Sequence, residues 1–512
     1  MYYKVFISTA GIGSRIHPIS KINKSLLPIK GKAAITRIIN QFPIDIEIVI
    51  ALGYQKETVK DFLKISFPKR KFKFVIIDKF YGKGSGPGYT LLKCKKFLQC
   101  PFIYSSCDTI VSEKIKLPNK NWLGVSKINE TRNFLVIKKN NGYYNFFDKK
   151  KLKKSNNYKA FIGLAGIFDY KKFWFELSNS SILIKNEIQI SNGLIALRDN
   201  LKLINFTWND IGSVENYKKT LINYRDQTLL KPDTFIYFDK KKVIKYFADS
   251  KKIKDLYKRA LKLKKFVPKI INMKNNFLSY EYQEGKLLSH FSIKEFNSFL
   301  NFSFKRFWIK KKYDKKKFSN ICSKFYKEKT YARVKEYLTK NKLIDKIEYI
   351  NNNKITKIYD LLSKVNWKNL SDGIPVNYHG DLQPENILLK KKKFILIDWR
   401  DKFGQILHTG DIYYEFSKLD HALEINGEII RKKKYKYVKK RHKIFYSFQK
   451  KSKLLQFKKI LHKFIKLNNY DIKKLKLLTS LIYLNIAVFY EKPYSHLLFS
   501  HGKLMLSKNL KN

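Results

Sequence analysis

The sequence predicts an α/β chain in two parts, a doubly wound parallel sheet followed by a mixed α+β half rich in helix. Three observations predict it. First, apolar, β-branched runs such as KVFIS (4–8), IEIVIALGY (46–54) and FKFVIID (72–78) alternate with helical patterns, as buried parallel strands and their crossovers do. Second, HGDLQPENILLKKKKFILIDWR (379–400) packs a turn, a strand and three polar groups into a short span, inside a half whose segments carry helical spacing. Third, 512 residues exceed what one core organises, so two or three domains are expected.

Composition narrows the class. With 44% hydrophobic and 15% aromatic residues the chain is no disordered polyelectrolyte. The net charge of +66 points first to a nucleic acid or an anionic membrane. The excess is mostly lysine and spread from end to end, however, rather than gathered in a stripe. The runs at 149–154, 310–317, 390–393 and 432–440 read as solvated turns or helix faces. A positive field also helps capture nucleotides. The alternative from another class is a basic nucleic-acid-associated or regulatory protein that keeps nucleotide-binding folds without catalysis, and it predicts steeply salt-dependent binding. Cys94, Cys100, Cys107 and Cys322 form no CxxC pair and are expected to be reduced thiols. MYYKVFISTAG enters a strand directly, without a leader pattern, and LLTSLIYLNIAVFY (477–490) is too short to span a bilayer, so a cytoplasmic protein with a buried helix there is expected.

In the first half, the strand at 4–8 runs into TAGIGSRIHP and a helix. Gly11 and Gly13 let backbone N–H groups approach a phosphate, and Arg15 and Lys24 can neutralise a leaving pyrophosphate. On those residues alone, a tight strand-to-helix turn is an equal reading, since the third Gly of a dinucleotide loop and the Gly-Lys-Ser/Thr of a P-loop are both missing. Downstream come the Gly-rich turn GKGSGPGYTLL, the buried strand PFIYSSCDTI ending at Asp108, and FTWNDIGS with Asp210. Two such carboxylates can share Mg²⁺, or Mn²⁺, on a nucleotide.

Residues 1–222 resemble the nucleoside-diphosphate-sugar pyrophosphorylases and their cytidylyltransferase relatives, among them the phosphocholine cytidylyltransferases. The resemblance rests on Gly11, Gly13, Ser14, Arg15, Lys24 and Asp108, with Asp210 as second metal carboxylate, FIGLAGIF (161–168) as substrate-side strand, and a looser match of Gly84, Ser85 and Gly86 to the base-recognition turn. It implies a Rossmann-like nucleotidyltransferase domain binding an NTP, CTP or UTP. Asn23 stands where that family has Pro, Thr9 where it has a smaller residue, and Cys107 where Gly is common.

In the second half, Asp381 lies five residues before Asn386, and Asp398 twelve residues further on. That order serves phosphoryl transfer from ATP: the first Asp accepts the proton of an attacking hydroxyl, while the Asn and second Asp hold Mg²⁺. With His379, these residues resemble the choline kinase and aminoglycoside phosphotransferase group. The resemblance implies a bilobal protein-kinase-like fold, with a linker at 223–234, a small lobe at 235–285 and a large lobe at 286–512. It implies further that Asp411 is a structural acid, that YEYQEG (280–285) is the inter-lobe hinge, and that Lys245 in VIKYF holds phosphate, although a solvated strand lysine is as good a reading of that residue. Residues 233–244 contain no Gly-rich loop, and Asp255 is only a guess at a partner for Lys245. Lys329 and Arg333 share a helix face, solvated or touching substrate, and His408 and His421 read as packing or surface residues.

Together the two halves lead to the expectation of a bifunctional enzyme that phosphorylates a small hydroxyl compound, a sugar or amino alcohol, and caps that phosphate with a nucleotide. Such a product suits surface polysaccharide or phosphocholine-type decoration.

Overall fold

The structure, a computed structural model, describes residues 1–128, 131–140, 143–152, 158–226 and 232–511. Residues 227–231 of the expected linker, and the end of the lysine run at 149–154, lie outside them. The chain forms two compact units: Met1–Ile253 with Ile271–Tyr280, and Lys254–Ile270 with Glu281–Asn512.

The first unit is built on a nine-stranded sheet. Its centre is parallel: Lys4–Ser8 pairs Ile48–Leu52 on one side and Phe102–Ser106 on the other, and Ile48–Leu52 pairs Phe72–Ile76. Side chains of a strand alternate between faces. Thus Val5 and Ile7 enter one core with Ile35, Val59 and Phe62, while Phe6 enters a second with Leu91, Phe173 and Trp174. Helices on both faces bear out the doubly wound expectation for this part. The parallel sheet expected here continues into antiparallel strands, because Lys159–Ile167 runs antiparallel to Phe102–Ser106, and Asn121–Lys127 and Leu135–Asn140 are antiparallel to Lys159–Ile167. The reversal is local: Phe102–Ser106 leads, through Asn121–Lys127 and Leu135–Asn140, to strands that return without the crossover helix a parallel neighbour requires.

After Lys4–Ser8 the chain moves to Ile48–Leu52, whereas Phe102–Ser106 pairs on the opposite side. The sheet therefore has a topological switch point between its first strand and Phe102–Ser106, and the carboxyl ends of such strands open a crevice. Ser8 and Ser106, the last residues of those two strands, both line the cavity found there.

A four-stranded sheet follows, in the order Thr234–Asp239, Lys242–Phe247, Phe277–Glu281, Ile270–Lys274. Its apolar face joins the first unit's core: Tyr237 and Phe277 meet Phe62 at ring separations of 4.9 and 5.9 Å. Polar contacts tie the same helix, Lys56–Ser66, to these strands. Lys242 donates to the Ile65 carbonyl at 2.6 Å, and the buried Asp61 takes Lys274 at 2.8 Å and Asn275 at 2.6 Å.

The second unit is largely helical. The hairpin Ile387–Lys390 and Lys393–Leu396 pairs Ile387 with Leu396, and Ile412–Glu424, Ser452–Leu467, Ile472–Ala487 and Tyr494–Lys511 supply most of the core. The apolar stretch at 477–490 falls in Ile472–Ala487 and the turn after it, and Leu478, Leu481, Tyr483 and Leu484 are buried. Among the described residues no helix is long and apolar enough to cross a membrane. All four cysteines are buried free thiols.

Phe62 links the sheet core to the four-stranded sheet, so Phe62→Ala should destabilise the first unit by about 3–5 kcal/mol. In differential scanning calorimetry, a shift in the first unit's transition with the second unit's transition in place is the expected result.

Candidate active sites

In the first unit, backbone register does the work of assembly. Trp208–Asp210 pairs antiparallel with Thr109–Val111, with Asp210 opposite Thr109, and the Ile211 N–H donates to the Asp108 carbonyl at 3.2 Å. Two carboxylates a hundred residues apart in sequence therefore stand side by side. A methyl group on Gly212 would lie 3.0 Å from Asp210 Oδ1, 3.2 Å from Asp108 Oδ2 and 3.3 Å from an Arg15 guanidinium nitrogen. A side chain there would crowd all three charged groups, each of which would have to give by a few tenths of an ångström. Arg15 reaches the point from the short 3-10 turn Ser14–Ile16, which opens on Gly13 at φ 68°, a left-handed conformation that favours glycine.

Lys24 completes the cluster, its ammonium 2.6 Å from Asp108 Oδ2. Asn23 fixes it: buried, it donates to the carbonyls of Thr9 at 2.9 Å and Tyr54 at 2.8 Å, accepts from Ser25 N–H, and receives through its own N–H the Gln55 side-chain oxygen as partner. Thr9 in turn donates its hydroxyl to the Ala51 carbonyl at 2.6 Å. Thr9 and Asn23, the two departures from the family pattern beside the loop, thus bond to one another and hold the residue before Lys24.

Burial works to raise the Asp108 carboxyl, but the Lys24 ammonium, the Ser106 hydroxyl and Arg15 outweigh it and hold it down to about 2. Asp210 goes the other way, raised by burial and then by the charge of Asp108. Its oxygens accept from Gly212 N–H at 2.8 Å and from the Asn216 amide. The donor set is oxygen only and doubly acidic, which fits a hard divalent cation. Among the described residues no three His, Cys, Asp or Glu side chains form a closed cage. Phosphate oxygens would have to complete the shell, the usual situation for Mg²⁺ on a nucleotide.

These groups line a cavity of about 360 Å³. Gly11, Arg15, Lys24, Gly86, Asp108 and Asp210 are in its wall, and so are Phe161–Gly163 of the expected substrate-side strand. A methyl on Gly11 would meet nothing within 4 Å, leaving its backbone open to close approach. Gly13, Ser14, Gly84 and Ser85 are not in the wall. Ser85 donates its hydroxyl to the Gly82 carbonyl and accepts Ile188 N–H, while Gly86 caps the helix Pro87–Cys94 at φ 115°. Sequence reasoning missed Asp148, Glu187, Gln189 and Trp208, which close the far side. They come from three places in the chain, the strand ends at Asp148 and at Glu187 with Gln189, and Trp208 two residues before Asp210, and share no common motif. Lys245 is buried on its strand over the Tyr280 ring, 5.7 Å away, and Asp255 pairs with Lys402 at 2.7 Å.

In the second unit the segment around Asp381 is held by a dense set of bonds. His379 is buried, its Nε2 facing the Ile397 carbonyl at 2.9 Å and its Nδ1 accepting Asp381 N–H at 3.3 Å, which places the ring proton on Nε2. Glu415 receives His379 N–H at 2.9 Å and Gly380 N–H at 2.6 Å. Arg259, also fully buried, donates to the Tyr378 carbonyl at 2.6 Å and to the Arg400 carbonyl at 3.2 Å. Asp381 Oδ1 meets the Lys418 ammonium at 2.7 Å and the Gln383 amide at 2.9 Å. Burial opposes ionisation of Asp381, yet Lys418 and Gln383 hold its carboxyl far below the usual range.

Asn386 donates its amide to the Asp381 carbonyl at 2.9 Å, which leaves its side-chain oxygen as an acceptor, and its own carbonyl takes Ile397 N–H at 2.9 Å. That bond brings Asn386 beside Asp398, which has a left-handed backbone at φ 60°. One amide oxygen and one carboxylate fit a hard cation that phosphates complete. Asp411 accepts Ile374 N–H, Tyr413 N–H and the Tyr326 hydroxyl, a buried bracing role. His421 is buried against the Ser417 carbonyl, and His408 is half-buried.

No family model and no curated protein matches the sequence. Solved structures similar to the N-terminal part include one assigned as a glucose-1-phosphate thymidylyltransferase from Bacillus anthracis, 20% identical with a TM-score of 0.37, over 45% of this chain and 98% of that one. An inositol-1-phosphate CTP transferase from T. maritima is 14% identical with a TM-score of 0.34, over 44% of this chain and 98% of its own. A CTP:phosphocholine cytidylyltransferase from Streptococcus pneumoniae is 17% identical with a TM-score of 0.34, over 44% and 99%.

Burial lowers the His379 pKa from 6.5 to about 4. Between those values the unfolded ring takes up a proton and the folded ring does not, so stability is lost as pH falls through that window, by about 3 kcal/mol for this residue. In thermal denaturation at stepped pH, His379→Gln should flatten the acid limb of the second unit's stability relative to the wild-type protein.

Proposed function

We propose that the chain is a bifunctional enzyme: the second unit transfers a phosphoryl group from ATP to a small hydroxyl compound, and the first transfers a nucleotidyl group from an NTP to the resulting phosphate. The observation that carries the reading is the meeting of Asp108, Asp210 and Arg15 beside Gly212, with Lys24 on Asp108, in a cavity at the sheet's switch point.

In the first unit an oxygen of the acceptor's phosphate attacks the α-phosphorus of the NTP. The new O–P bond forms as the bond to the β-phosphate oxygen breaks, and pyrophosphate leaves with its electron pair. Asp108 and Asp210 would hold Mg²⁺ or Mn²⁺, which supplies charge neutralisation on the triphosphate. Arg15 and Lys24 offset the negative charge that grows on the leaving group, and Gly11 lets backbone approach the phosphates. No protein nucleophile is needed. CTP or UTP is the favoured donor.

In the second unit the acceptor hydroxyl attacks the γ-phosphorus, ADP leaves, and the hydroxyl proton passes to Asp381. Lys418 and Gln383 keep that carboxylate ionised and aimed, while Asn386 and Asp398 would hold Mg²⁺. The chemistry orders the two steps, because the first unit needs a phosphorylated acceptor. An activated precursor for a surface polysaccharide or phosphocholine-type decoration is the product class.

A two-stage ³¹P NMR assay tests this, offering ATP with hydroxyl compounds and, in a separate stage, each NTP with the phosphorylated compounds supplied directly. Asp381→Asn should cut only phosphorylation, and Asp108→Asn only pyrophosphate release, each by about 10²-fold or more. Pyrophosphate release unchanged in Asp108→Asn, or phosphorylation unchanged in Asp381→Asn, refutes the corresponding half.

A further inference from the structure

Beside Asp381 lies a second, small pocket of about 40 Å³. Its wall includes Phe325, Tyr326, Lys329, Tyr414 and Lys418, and Lys418 is the residue that meets Asp381. The helix Lys329–Asn341 begins directly after a π-helical turn at Lys324–Glu328, a distortion frequent at functional sites.

The aromatic faces that a quaternary-ammonium or amine substrate would use are already taken. The Lys329 ammonium lies 4.1 Å from the Phe325 ring centre and 5.9 Å from that of Tyr414. The Arg400 guanidinium lies 5.3 Å from Phe325 and 5.9 Å from Tyr414, and donates to the Tyr414 hydroxyl at 3.2 Å. A further cation entering here would be repelled by Lys329, Arg400 and Lys418. Lys418 has Asp381 and Arg333 has Glu336, but among the described residues no carboxylate lies within ion-pair distance of Lys329. Burial first, then Arg400, Lys418 and Arg333, all push its ammonium toward losing its proton. A charge held against burial and three like charges is costly in the free protein, and an anion would relieve it.

We propose that this pocket receives the anionic group, carboxylate or phosphate, of the hydroxyl compound phosphorylated by the second unit, with Lys329 as its counter-charge. The inference rests on the kinase reading above and, within it, selects an anionic hydroxyl compound such as a sugar acid or sugar phosphate, setting aside the amino alcohol and with it the phosphocholine-type product.

The test uses the full chain with ATP, Mg²⁺ and a matched three-carbon series: glycerate, glycerol 3-phosphate, glycerol and 3-aminopropane-1,2-diol. ADP formation and calorimetric binding are both read. At least one anionic member should exceed glycerol by about tenfold in kcat/KM and in affinity, with the amine lowest. Glycerate against glycerol 3-phosphate decides between carboxylate and phosphate. Lys329→Met should raise KM for the anionic member about tenfold and leave glycerol unchanged. Equal or better use of glycerol or the amine overturns the inference while the kinase reading stands. If none of the four is phosphorylated, the calorimetric preference and its loss in Lys329→Met judge the pocket alone, and the kinase reading is judged by the Asp381→Asn assay above. Lys329→Met should melt at or above the wild-type temperature, having no ion pair to lose. A clear fall in melting temperature would mark Lys329 as structural and overturn the assignment.

Discussion

The Lys24–Asp108 contact organises the first unit's chemistry. Each partner is expensive to bury alone, and each makes the other's charged form the stable one: the ammonium is raised and the carboxyl lowered despite desolvation. Burial, and after it the charge that Asp108 keeps, drive Asp210 upward, so the two carboxylates differ in readiness although they are chemically alike. The asymmetry comes from placement. Lys24 belongs to the short turn after Asn23, whereas Asp210 faces a neutral amide and a backbone N–H.

The second unit solves a related problem with different parts. Its acidic group, Asp381, is again paired with a lysine, but the pair is held in a frame of buried polar residues, His379, Glu415 and Arg259. Arg259 grips the two carbonyls that flank the segment, and Glu415 grips two of its N–H groups. A backbone held at both donors and acceptors is fixed in place, and the phosphoryl transfer proposed for this unit would depend on positioning more than on covalent chemistry.

Much of this was legible in the sequence, and the illegible part has a physical pattern. Strand runs and the charged residues at their ends carry strong local signals, so Arg15, Lys24, Asp108, Asp210, Asp381 and Asn386 could be named from spacing or resemblance. Thr9 and Asn23 read as departures, because their compensation is a bond between residues fourteen apart whose geometry no motif encodes. The far cavity wall and the Lys418 partner of Asp381 depend on tertiary placement alone. Lys329 was visible only as one of many lysines on a helix face. Its meaning lies in which neighbours surround it, and in a chain with 107 Lys and Arg residues composition conceals that. The antiparallel half of the large sheet was missed because a buried strand reads alike in either direction.

The path of the backbone between the units has a practical and historical side. The chain leaves the first unit after Ile253, returns at Ile271 and leaves again after Tyr280, so the strands carrying Tyr237 and Phe277 complete a core begun by Phe62. No single cut, by a protease or by the splitting of a gene, releases both units whole. Two proteins joined by a tether can be lost, swapped or inherited separately; a chain threaded back and forth in this way must be made and kept as one.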